Sequence, residues 1–155
     1  MPEPTPRFRA ATREDLPAIV RLLADDPLGA QRERDVDPLP RVYAEAFEAI
    51  EANPNDELVV ASLDGAVVGV LQITFLRHVT HLGAGRALIE GVRVARDLRS
   101  CGIGRALVGF AIERARARGC RLVELTTNRS RTDAQRFYES LGFVASHVGM
   151  KLELQ

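Results

Sequence analysis

The stretch that decides the fold is Glu90–Leu107, EGVRVARDLRSCGIGRAL. Leu88, Ile89, Val92 and Val94 form a β-rich run that ends in a polar turn, Ala95-Arg96-Asp97-Leu98-Arg99. Ser100-Cys101-Gly102-Ile103-Gly104 then leads into residues with helical periodicity. Strand, glycine-containing turn and helix N-terminus together make an anion site. The first N–H groups of a helix have no partner inside it, and its dipole places about half a positive charge there. Gly102 and Gly104 carry no Cβ, so a phosphate can come close to the backbone. The reading is a pyrophosphate bound at this turn.

Two common phosphate motifs do not fit. A P-loop ends in Gly-Lys-Ser/Thr, and no Lys follows Gly104. A dinucleotide fingerprint needs Gly or Ala three residues after Gly104, where Leu107 stands. The spacing that does fit is Arg99-x-x-Gly102-x-Gly104 straight after a strand. It resembles the acyl-coenzyme A signature of the GNAT N-acetyltransferases, Arg/Gln-x-x-Gly-x-Gly/Ala.

Outward from this centre, Arg7 to Ala11 alternates as a short edge strand after a loose leader, Met1 to Pro6. Thr12-x-x-Asp15 has the form of a capping box opening a helix along Leu16, Ile19, Val20, Leu22 and Leu23. Asp25-Asp26-Pro27-Leu28-Gly29 ends that helix, and the charged stretch Ala30 to Pro38 has little to bury. A second helix is predicted from Pro40 through Ile50, stopping before Asn53-Pro54-Asn55. Strands Glu57 to Leu63 and Ala66 to Leu76 flank Asp64-Gly65, a hairpin signal. A loop from Arg77 to Arg86 precedes the central strand at Ala87 to Ala95. The helix from Gly102 carries Ile103, Leu107, Phe110, Ala111 and Ala115 on one face and stops at Gly119. A strand at Arg121 to Thr127, a helix from Thr132 to Leu141 and a last strand from Phe143 to Leu154 complete the order β-α-α-β-β-β-α-β-α-β.

That order is similar to the GNAT fold from Phe8 to Leu154. Asn128 to Phe143, NRSRTDAQRFYESLGF, supplies a second match. It resembles the family's closing motif, an Asn after the fifth strand and then a helix with Phe/Tyr-Tyr-x-x-x-Gly-Phe, here Phe137 to Phe143. Asn128 stands six residues before Ala134, farther than the family's usual spacing. The resemblance implies one GNAT domain over residues 1–155 with an α+β fold. Its central sheet would be mixed and mostly antiparallel, with six to seven strands and about four flanking helices.

The resemblance further implies acetyl transfer from acetyl-CoA to an amine. Backbone donors from Ser100, Cys101, Gly102, Ile103, Gly104, Arg105 and Ala106 would hold the phosphates, with Arg99 or Arg105 as countercharge. Pantetheine would lie along Val92 to Val94 as an extra strand. The Val94 N–H would polarise the thioester carbonyl, a main-chain contribution of the oxyanion type. Val92 and Val94 are equally well placed as plain core strand. Tyr138 would protonate the departing thiolate, the alternative being a packed pair with Phe137. Asn128 and Tyr138 would also touch the coenzyme.

An amine of pKa ~10.4 is only about one part in 10³ free base at pH 7, a cost on the order of 4–5 kcal/mol. Glu90, a charge inside LIEGVRV, is the candidate general base, because such local inconsistencies mark functional sites. Its alternatives are an outward carboxylate paired with Arg93 or another Arg, and deprotonation through water with no dedicated base. His78, His81 and Arg86 are substrate candidates in the loop before the central strand, although a solvated loop explains them too. His78 and His81 do not make a metal site, because Cys101 and Cys120 offer no matching ligand spacing. Asp25, Asp26, Asp35 and Asp37 suit a cationic amine, whereas Arg77, Arg86 and the histidines suit an amine that also bears an acid. The two hints conflict.

The totals narrow the classes. With 155 residues the chain can bury a core as one domain, and 46% hydrophobic residues supply it. Twenty-one basic and 21 acidic residues cancel, which argues against nucleic acid or an anionic membrane as partner and leaves a homodimer open. Two cysteines make no disulfide framework, and no secretory or membrane-spanning run is visible, so a cytoplasmic protein is expected. Three functions are carried forward: a small-molecule N-acetyltransferase, favoured; a protein or peptide acetyltransferase; and a non-enzymatic acyl-CoA sensor. An oxidoreductase ranks last.

Overall fold

The protein is described here by a computed structural model covering residues 5–155. Packing divides it into two compact units, one ending at Glu124 and one beginning at Leu125. The expected leader lies outside the described residues except for Thr5 and Pro6.

The sheet is mixed, with strands β1 (Arg7–Ala10), β2 (Asp56–Leu63), β3 (Ala66–Leu76), β4 (Gly85–Val94) and β5 (Cys120–Leu125) in spatial order β1-β2-β3-β4-β5. β1 with β2, β2 with β3 and β3 with β4 pair antiparallel. At the β2–β3 hairpin Asp64 and Gly65 take φ of 49° and 83°. Two consecutive positive φ values are what a two-residue turn needs to match the strand twist.

Helix α1 (Leu16–Ala24) starts where the sequence places it. The Asp15 carboxylate accepts from the Thr12 N–H at 2.7 Å and is paired with Arg9 at 2.6 Å. The bonds to Arg9 and Thr12 hold this largely buried carboxyl below the usual carboxylate range. α3 (Arg41–Ala52) and α5 (Ile103–Ala117) also follow the expected bounds closely.

Two layers of helix cover the sheet, and alternation along β3 assigns them. Val70 packs with Ile19 and Leu22 of α1, while a Cβ at neighbouring Gly69 would meet Leu107 of α5 at 3.4 Å. α1 and α5 therefore lie on opposite faces. Leu71, Ile73, Ile89, Ile103 and Leu107 are fully buried, each worth roughly 1.5–3 kcal/mol by transfer from water.

Three expectations need correction. Pro27–Arg32 forms a short helix, α2, rather than a plain break. Asp26 accepts from the Gly29 N–H with Pro27 in the first turn, a start signal that the following charge run obscures. The loop before β4 contains a helical turn, α4 (Thr80–Gly83), with His81 and Leu82 in left-handed conformations. In the second unit α6 (Thr132–Ser140) forms as expected, but the last strand, Phe143 to Leu154, does not. The sheet thus has five strands, not six to seven, and the helices number six among the described residues, not four. Period-2 alternation is a true strand signal, but a strand also needs a neighbour to satisfy its ladder, which the sequence pattern does not supply. Val144, Val148, Met150, Leu152 and Leu154 are instead 77–92% exposed.

Candidate active site

The site begins with a register break in β4. Glu90 stands opposite Gln72 and Arg93 opposite Val70, so Leu71 faces two residues, Gly91 and Val92. This is a β-bulge, and Gly91 carries its positive φ of 63°. Beyond it the Ala95 N–H donates to the Val68 carbonyl at 2.8 Å. Antiparallel pairs alternate between bonded and non-bonded, so the next pair, Val94 with Gly69, is non-bonded. The N–H and C=O of Val94 therefore point away from β3, to the free edge of β4. Contacts with β5 fall at the other end, where a Cβ at Gly85 would meet Cys120 Sγ at 3.7 Å and Arg86 pairs with Glu124 at 3.5 Å.

After β4 the chain makes a short 3₁₀ turn, Arg96–Leu98, and enters the glycine loop. Ser100 and Gly102 have φ of 65° and 80°, and Gly102 is the N-cap of α5. The Ala106 N–H donates to the Gly102 carbonyl at 3.0 Å as the first bond of the helix. Ile103 and Gly104 come before that bond, so their N–H groups have no intrahelical acceptor. A concave run of backbone donors at a helix N-terminus is a fit for phosphate oxygens. The Cys101 thiol, half-buried, points to the Arg99 carbonyl at 3.8 Å.

Arginines from this segment grip the end of α1. Arg93 pairs with Asp26 at 3.5 Å, both side chains mostly buried, and Arg96 pairs with Asp25 at 2.9 Å. Arg21 faces Asp35 at 3.8 Å. The acids that suggested a cationic amine are thus already neutralised, with the exception of exposed Asp37, which makes no ion pair among the described residues. An open depression of about 730 Å³ lies here, between Arg21 and Asp25 on one side and Ala95 to Asp97 on the other.

Glu90 is exposed at the residue before the bulge. Among the described residues no cation lies within ion-pair distance of its carboxylate, and Arg93, the expected alternative partner, is held by Asp26. The substrate candidates sit elsewhere. His81 and Arg86 line a separate pocket of about 500 Å³ with Leu82, Ala84, Arg121 and Leu122. Val94 lies eight residues along the strand from Arg86, roughly 25 Å at ~3.3 Å per residue. The structure does not bring those two sets together.

In the second unit Tyr138 packs between Phe137, tilted at 60°, and Phe143, edge-on at 74°, with ring centroids 5.2 and 5.9 Å away. Asn128 closes the turn before α6, its Oδ1 accepting from the Ser130 N–H at 3.0 Å and from Ser130 Oγ at 2.7 Å. Sequence reasoning missed the bulge and the aspartate–arginine contacts. Gly91 inside a strand was the available signal for the first; the second joins residues about 70 apart and left none.

A strand with a bulge and a free edge, running into a glycine loop and a helix N-terminus, is a backbone site suited to an extended, phosphate-bearing ligand. Residues 16–143 match the model of the Acetyltransferase (GNAT) family, and the chain belongs to that family. It is 32% identical to an aminoalkylphosphonate N-acetyltransferase of Salmonella typhimurium over 144 residues, 93% of this chain and 88% of that one. It is 33% identical to a glucosamine 6-phosphate N-acetyltransferase of Trypanosoma brucei brucei over 90 residues, 58% of this chain and 59% of that one. A crystal structure from Bacillus halodurans C-125, described as a transcriptional regulator, superposes with a TM-score of 0.94 at 50% identity, covering 97% of this chain and all of that one. The protein is therefore an acetyltransferase, and its family uses acetyl-CoA as cosubstrate.

Proposed function

We propose that the protein transfers the acetyl group of acetyl-CoA directly to the primary amine of a small molecule that also bears an acidic group. The free edge of β4 beyond the Gly91 bulge, leading straight to the donors of the Gly102 loop, carries this reading. Val92 to Val94 receive the pantetheine arm and Val94 polarises the acetyl carbonyl. Residues from Ser100 to Ala106 hold the phosphates, with Arg99 and Arg105 as countercharge and Asn128 as a further contact. Glu90 takes the proton from the amine and Tyr138 returns one to the departing thiolate. Both units form one functional domain, a reading supported by a family match that runs from residue 16 to residue 143.

Two observations support the acid-bearing acceptor. The relatives are named for an aminoalkylphosphonate and a sugar phosphate, each an amine with a phosphorus oxyacid. Asp25, Asp26 and Asp35 are engaged by arginines, which leaves them unsuited to greet a bare cation. The same support favours a small molecule over a peptide. The protein works in the cytoplasm as a homodimer, and the exposed apolar side chains between Val144 and Leu154 support self-association.

Calorimetric titration with acetyl-CoA, with NADH in a parallel run, tests the core of this reading. Heat from acetyl-CoA alone is expected, abolished when Gly102 and Gly104 are both replaced by Val. A thiol-release screen of aminoalkylphosphonates, amino sugar phosphates and simple amines then identifies the acceptor. No binding of acetyl-CoA or free CoA would overturn the proposal.

A further inference from the structure

Both outward carbonyls of the free β4 edge are already occupied. Val92 O accepts from Nη1 of Arg93 at 2.8 Å, and Val94 O accepts from Nε of Arg99 at 3.3 Å. Arg99 also reaches back to the end of α1, with Nη2 3.4 Å from the Asp25 carbonyl oxygen and 4.0 Å from its Oδ2. Arg96 binds Oδ1 of the same carboxylate at 2.9 Å, which fixes it beside Arg99.

Arg99 is therefore held by an anion of its own chain and caps a carbonyl that an extended ligand lying along β4 would need. Building on the coenzyme site proposed above, we propose that Asp25 is an internal competitor for the pyrophosphate of coenzyme A. On coenzyme binding the Arg99 guanidinium leaves Asp25 and the Val94 carbonyl and moves to a phosphate oxygen. The freed carbonyl then accepts from an amide N–H of the pantetheine arm. A carboxylate and a phosphoryl group offer a guanidinium the same paired acceptors, and the diphosphate as a whole carries two negative charges against the carboxylate's one, so the exchange runs toward the ligand. The pair is solvent-exposed, with side chains 46% and 35% accessible for Arg99 and Asp25, so its hold is weak and readily exchanged.

The experiment is a double-mutant cycle by calorimetric titration of the full chain with coenzyme A. The variants are wild type, Asp25→Asn, Arg99→Ala and the pair combined, each checked for a wild-type melting transition. Asp25→Ser serves as a second removal of the carboxylate if Asp25→Asn melts early. Asp25→Asn is expected to tighten coenzyme A by about two- to five-fold when Arg99 is present, and to have no effect in the Arg99→Ala background. Equal or weaker binding by Asp25→Asn, or the same gain with and without Arg99, would overturn the competitor while leaving the coenzyme site standing. No coenzyme A binding by the wild type would overturn both.

Discussion

At the scale of single residues, the chemistry proposed here divides between side chains and main chain. Glu90 projects exposed from β4, and among the described residues no cation lies within ion-pair distance of its carboxylate. Glu90→Gln is expected to lower kcat/KM for the amine by about 10²-fold at pH 7, measured with saturating acetyl-CoA. Tyr138→Phe is expected to lower kcat by about 10²-fold with little change in acetyl-CoA affinity, because a thiolate leaves tolerably well without a proton. Asp15 is a residue of stability rather than catalysis. Its bonds to Arg9 and Thr12 form only in the folded chain and lower its pKa. The folded carboxyl therefore binds its proton less readily than the unfolded one, and its contribution is present above about pH 3.9 and lost as pH falls through the lower folded value. Asp15→Ala is expected to cost roughly 1–2 kcal/mol in urea denaturation at pH 7, with the difference shrinking in acid.

At the scale of elements, most of the scaffold was legible. α3 was readable from Pro40 and Asn53 at its ends, and β3 from the hairpin turn that precedes it. The Gly102 loop was readable because strand, glycine spacing and helix start are all local features. The bulge was not, because it is a property of two strands compared, and β4 alone shows only a glycine. Nor were the pairs of Asp25 and Asp26 with Arg96 and Arg93, where sequence reading saw loop charges and left their partner open. Gly91 and Gly102 separate two costs. Gly91→Val places a branched side chain at φ 63°, which is expected to cost about 1–3 kcal/mol in chemical denaturation. Gly102→Val adds to a similar strain a side chain where the phosphate is proposed to lie, and is expected to abolish the calorimetric signal from acetyl-CoA.

At the scale of the whole molecule, two features decide behaviour that no single element shows. The segment from Val144 to Leu154 exposes five large apolar side chains at even positions. Removing residues 144–155 is expected to convert the proposed homodimer to a monomer in sedimentation. The other feature is the phase of β4. Ala87 and Ile89 share a face with Phe75 and Ile73, whereas past the bulge it is Val94 that shares that face, with Gly69. Odd residues thus face α5 before the bulge and even ones after it, so the strand carries a one-residue frameshift in space. Deleting Gly91 would bring the two halves back into step and straighten the edge into an ordinary ladder. Chain length at that point, more than the identity of any side chain, separates a sheet that opens to a ligand from one that is merely folded.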